Sequence, residues 1–151
     1  MPRPGRTLRH DYPLTEIHIL SFDAAVTARY LQDRVSPATA EQFRLAIFRA
    51  QPGIANKDDL AAFTRRWFQS HGLSMPFVMD ASGVCRNEVQ ADRTLGDRLG
   101  AHGTPCIFVV TQQSWVQVVD VRQLYHTIDQ ALAQTAGPAA GPRRKPQPLQ
   151  P

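Results

Sequence analysis

Cysteine is scarce in this chain, and its spacing rules out the commonest uses of the residue. The two that occur, Cys85 and Cys106, lie too far apart for a Cys-x-x-Cys motif or for paired zinc ligands, and the five histidines are scattered. No metal and no other cofactor is expected. Long apolar runs are also missing: nothing approaches the ~20 residues of a membrane span, so membrane insertion is not expected. The opening Met1-Pro2-Arg3-Pro4-Gly5-Arg6 carries charge without an apolar stretch behind it, and does not read as a signal peptide. Taken as complete, such a product is expected in the cytoplasm. A basic face is absent as well. The net charge of +4 suggests a polyanionic partner, but Arg3, Arg6, Arg9, Arg143, Arg144 and Lys145 all sit in the terminal segments. Without them acidic residues outnumber basic ones, and nothing interleaves aromatics with cations, so nucleic-acid binding is not expected.

What is present suits one domain with its own core, since 151 residues are enough to bury one. Residues 1–5 and 136–151 read as disordered ends, the latter rich in Pro, Gly, Ala and basic residues without apolar periodicity. Arg6 to Tyr12 is expected as a short strand closed by Pro13. Ser21 to Arg34, with Ala24, Ala25, Ala28 and Leu31, suits a helix able to pack closely. Ser36-Pro37 caps a second, anchored by Phe43, Ile47 and Phe48 and ended by Pro52-Gly53. Asn56 caps a third, whose Leu60, Phe63, Trp67 and Phe68 share one face until His71-Gly72 stops it. Val84 to Leu99 is expected as helix in two pieces, with Asp92 capping the second. Phe77, with Trp67 and Phe68, is assigned to the core.

The stretch Gly103-Thr104-Pro105-Cys106 then leads into Ile107-Phe108-Val109-Val110. Cys106 to Thr111 has the unbroken apolar pattern of a strand covered on both faces. Proline is confined to strand starts, edges and bulges, and X-Pro is the bond type that adopts cis at low cost. A cis bond at Pro105 turns the backbone of Thr104 outward, where it can pair with an extended peptide. Trp115 to Val119 follows at hairpin spacing. Asp120 and Gln123 have capping-box spacing, and Val121, Leu124, Tyr125, Ile128 and Leu132 fall on one face of a last helix that should pack on the hairpin.

This order of elements resembles the DsbA-like thioredoxin-fold family of disulfide oxidoreductases and isomerases. Asp11-Tyr12-Pro13-Leu14 with Ile17-His18, Gly72-Leu73 with Phe77, and Asp92, Leu95-Gly96 and Leu99-Gly100 ahead of Gly103-Thr104-Pro105 are similar to strings of that family, although Ile19 replaces its usual proline. The resemblance spans Leu8 to Gln134. It implies an α/β, thioredoxin-like fold of DsbA type over residues 6–135, with a helical insertion at about 20–72. It also implies extended polypeptide substrates, and for an intact parent an extracytoplasmic location with a membrane redox partner.

The strand and helix that carry the family's Cys-x-x-Cys would precede Leu8. The sheet is therefore expected to be incomplete at its N-terminal side, leaving Arg6–Tyr12 and Cys106–Thr111 beside an empty slot. Disulfide exchange requires an attacking and a resolving thiol. The expected function is thus that of a truncated, exchange-derived protein without dithiol activity, and whether it is an enzyme at all stays open. The alternative is a non-catalytic module that binds peptides through the Thr104-Pro105 loop and sheet edge, with Gly103 and His102 flanking. A third reading makes Cys106 a lone nucleophile. The plainer assignment of Cys106 is a small core residue, whose side chain points opposite to that of Ile107. Cys85, near a helix start, is reactive only if exposed. A Cys85–Cys106 disulfide requires Cα atoms within roughly 7 Å, which spacing alone does not establish. His18 is read as a structural polar residue at a bend.

Overall fold

Small side chains let the first helix lie between its neighbours. In the computed structural model, which describes residues 5–135, this helix is α1 (Ser21–Arg34). One side of it brings Ala28 and Leu31 against Ala40 and Phe43 of α2 (Pro37–Ala50) and Trp67 and Phe68 of α3 (Lys57–Ser70). The other brings Val26 against Cys85 and Val89 of α4 (Val84–Arg98). Phe43, Phe68, Leu31 and Val89 are wholly enclosed, and burial of such side chains is worth about 1.5–3 kcal/mol each. Phe43 meets the Trp67 ring edge-on at 5.1 Å, the geometry aromatic quadrupoles favour.

Local chemistry sets the helix ends. Ser36 Oγ accepts from Thr39 N–H at 3.0 Å, and Pro37 occupies the first turn of α2, where its missing N–H costs nothing. Asn56 and Asp59 form a reciprocal capping box for α3. At the far end Gly72 takes φ +64°, and the Leu73 N–H donates to Phe68 O at 2.9 Å.

The chain divides into two compact units between His102 and Gly103. The second contains β1 (Ile107–Val110), β2 (Trp115–Val118), a 3₁₀ turn at Val121–Gln123 and α5 (Leu124–Thr135). The described residues are thus α/β, with five α-helices and one two-stranded antiparallel sheet. Among them no helix is long and apolar enough to cross a membrane.

Several expectations need correction. Residues 6–12 form no strand; side-chain bonds hold them in place of a ladder. Helix α4 is unbroken at Asp92, because that carboxylate reaches sideways to Arg29, His10 and the Asp11 N–H instead of capping its own helix. The strand β1 is not covered on both faces: Val110 is 71% exposed and the other three residues are half-buried, since one helix covers one side only of so small a sheet. Phe77 and Phe48 are exposed instead of buried. Val121 and Tyr125 are exposed too, leaving Leu124, Ile128 and Leu132 half-buried on α5. Of the ends expected to be disordered, residues 1–5 and 136–151, all but Gly5 lie outside the described residues.

Candidate functional site at the Gly103-Thr104-Pro105 loop

The second unit is built on a short hairpin. Thr111 closes it: its Oγ1 accepts from the N–H groups of Gln113 at 3.2 Å and Ser114 at 3.0 Å, and its own N–H donates to Ser114 O at 2.8 Å. The register then pairs Val110 with Trp115, Val109 with Val116, Phe108 with Gln117 and Ile107 with Val118. Hydrogen-bonded and non-hydrogen-bonded pairs alternate in an antiparallel ladder. Because Thr111 bonds across to Ser114, Val109 and Ile107 also turn their backbone groups toward β2. Phe108 and Val110 turn theirs away. Among the described residues no hydrogen bond reaches this outer edge.

Side chains alternate between the two faces. Val109, Val116 and Val118 line a groove of about 400 Å³ whose other wall is Thr127, Ala131 and Gln134 of α5. Ile107 shares that helix-facing side. Phe108, Val110, Trp115 and Gln117 take the opposite side, and Cys106 joins them through its contact with Gln117, opposite to Ile107 as expected. There Phe108 and Trp115 meet edge-on at 5.5 Å, and Cys106 Sγ lies 3.3 Å from Gln117 Nε2.

The loop that feeds β1 has Thr104 and Pro105 exposed and Gly103 half-buried. The Thr104–Pro105 peptide is cis. Cys106 is half-buried and carries a free thiol. His102 is exposed and ends the first unit.

Cys85 is placed in the first unit, buried and free. Burial pushes its thiol above the ordinary range, and the charges of Asp80, Asp33 and Glu88 push the same way. A thiolate nucleophile needs the reverse. Although Cys85 sits in the first turn of α4, the helix start is already occupied: Asp80 accepts from the N–H groups of Cys85 at 3.2 Å and Arg86 at 2.9 Å. His18 is exposed, and its carbonyl accepts from the Ser21 N–H at 2.8 Å where α1 begins.

A polar cluster in the first unit was not foreseen from the sequence. Asp11 accepts from Arg44 Nε at 3.2 Å, Arg44 Nη2 at 3.0 Å and Arg29 Nη2 at 2.9 Å. Asp92 accepts from Arg29, from the Asp11 N–H at 3.0 Å, and lies 2.7 Å from His10 Nδ1. Burial alone pushes the Asp92 carboxyl upward, but the bonds from His10 and the Asp11 N–H and the charge of Arg29 outweigh it and hold it below the usual carboxylate value. One signal for the cluster does lie in the sequence: Arg44 falls one turn after Ala40, beside Phe43, on the face of α2 that is otherwise apolar. Among the described residues no group of three or more His, Cys, Asp or Glu side chains is placed to hold a metal ion.

Comparison with protein-family models, with curated proteins and with solved structures finds no match for this chain.

Proposed function

We propose that this chain is a thioredoxin-like protein of DsbA type, derived from thiol–disulfide exchange, and that its 151 residues correspond to the part that follows the dithiol helix. The observation that supports this reading best is the succession of four helices, an exposed Gly103-Thr104-Pro105 loop, an antiparallel hairpin and a final helix packed on one of its faces. In this reading the loop presents its backbone to an extended polypeptide. Exchange itself needs a thiolate that attacks one sulfur of a disulfide and a second thiol that resolves the mixed disulfide. Cys85 is enclosed with a raised pKa and Cys106 has no neighbouring cysteine in sequence, so the two do not make such a pair.

Insulin reduction and oxidation of reduced ribonuclease, run on the purified chain, test the reading. Turnover at background level is expected, and turnover comparable to an intact disulfide oxidoreductase would contradict it. A second reading, a non-catalytic module that captures a peptide by adding it as a strand, is favoured by the free outer edge at Phe108 and Val110. Isothermal titration with extended peptides tests the module, which must bind them whatever their redox state, and an absence of binding would contradict it.

A further inference from the structure

An open strand edge is a template for another strand, and folded proteins usually guard it with charges, proline or a bulge. The edge of β1 has no such guard among the described residues. From Gly103 to Val119 the chain carries no Asp, Glu, Lys, Arg or His, and Pro105 stands before the strand begins. Phe108 and Val110 direct their N–H and C=O groups away from β2, and no described residue bonds to them. On the face remote from α5, beside Gln117, two large apolar side chains are also open: Val110 is 71% exposed and Trp115 56%.

We propose that this edge pairs with the same edge of a second copy of the chain. Antiparallel pairing about a two-fold axis at Val109 sets Phe108 beside Val110 of the second copy and Val110 beside Phe108 of the second copy. Both are then hydrogen-bonded pairs, which satisfy the backbone groups that β2 leaves free. The charge pattern argues for a second copy over a foreign strand. In a strand paired with its own copy, a charge near the two-fold axis lies close to its twin, and like charges across a ladder repel. β1 itself carries no charge, so self-pairing meets no such repulsion. Aromatic against β-branched is also a favourable cross-strand pair, and β1 supplies both halves of it. A lone two-stranded hairpin is marginal in water. Joining two of them gives a four-stranded sheet in which the apolar faces carrying Val110 and Trp115 run together, each half still backed by its own α5.

Sedimentation velocity on the full chain over a wide concentration range tests the pairing. The expected result is a monomer–dimer equilibrium, weakened about tenfold or more by Val110→Lys and unaltered by the uncharged, β-branched Val110→Thr. Circular dichroism of each variant confirms the fold. Val109→Cys gives a readout that does not depend on the lysine variant folding. The two-fold axis places the paired Cα atoms about 4.5 Å apart, within disulfide reach, so diamide should yield a covalent dimer that wild type does not form. A wild type monomeric at every concentration overturns the proposal, and so does a monomer that instead takes up an added extended peptide. A Val110→Lys protein that dimerises as wild type does, or a Val109→Cys protein that fails to cross-link, overturns it equally.

Discussion

Arg44 grips Asp11 with two parallel hydrogen bonds, Nε to Oδ1 at 3.2 Å and Nη2 to Oδ2 at 3.0 Å. The pair joins a segment without secondary structure to the middle of α2, and both side chains are only 11% exposed. Arg29 adds a third bond to the same carboxylate from α1. One acidic group therefore neutralises parts of two guanidinium groups that would otherwise face each other across the bundle. Replacing Asp11 by alanine removes the acceptor and leaves both cations. Unmade bonds of this kind cost about 1–3 kcal/mol. Urea denaturation should show the midpoint of Asp11→Ala falling at unchanged slope, and an unshifted midpoint would mean that the cluster contributes nothing net.

Acid should loosen the same cluster through Asp92. Its folded-state pKa is depressed from 3.8, so its contribution to stability is complete above that value and is lost as pH falls through the lower folded value. His10, Arg29, Asp11 across the shared guanidinium and the more distant Glu88 are the ionisable side chains that Asp92 and its partners face. Wild type should lose stability steeply below about pH 4, and Asp92→Asn should flatten that limb while being less stable at neutral pH. Denaturant midpoints measured across the acid range check both signs. Parallel acid limbs in the two proteins would show that other carboxylates govern the loss.

Gly96 offers a prediction whose sign is unusual. Glycine to alanine inside a helix ordinarily stabilises by about 1 kcal/mol. Here a Cβ on Gly96 would lie 2.4 Å from Cδ2 and 2.6 Å from Cε2 of Tyr12, whose hydroxyl is held 2.7 Å from Asp97 Oδ1 and 3.0 Å from Ala101 O. The ring cannot retreat without giving up those bonds. Gly96→Ala should therefore destabilise, by about 1–3 kcal/mol as overpacked sites do. In a Tyr12→Ala background the same change should stabilise. Thermal melts of the four proteins of that cycle decide it, and equal effects in both backgrounds would remove the close packing as the cause.

What could be read from the sequence was local. Ser36-Pro37 and Asn56 announce their helices because a cap and the turn it serves lie within a few residues, and the small-residue pattern of Ser21–Arg34 is complete within α1. The Gly103-Thr104-Pro105 loop and the hairpin behind it were legible for the same reason. Asp92 was misread because its partners, His10, Asp11 and Arg29, are distant in sequence, and a carboxylate in mid-helix looks like a cap until they are known. Arg6–Tyr12 has strand-like composition but depends on a neighbour for its hydrogen bonds, and composition cannot say whether one is adjacent. Phe77 shows the remaining gap: an aromatic predicts burial only on average, and this one is exposed.

The two cysteines should separate cleanly by reactivity. Cys85 is enclosed beside Val26 and Val89, with a thiol pushed up by burial and by the charges of Asp80, Asp33 and Glu88. Attack on iodoacetamide needs both access and thiolate, and Cys85 lacks each. Cys106, half-buried beside Gln117 on the sheet face remote from α5, keeps more access. Peptide mapping after timed alkylation at neutral pH should find Cys106 labelled first and Cys85 labelled only at the rate of global unfolding, faster in any variant that weakens the helical unit. A rate at Cys106 well above that of a free thiol would revive it as a nucleophile in its own right. Labelling of Cys85 as fast as Cys106 under native conditions would contradict the packing of α1 on α4.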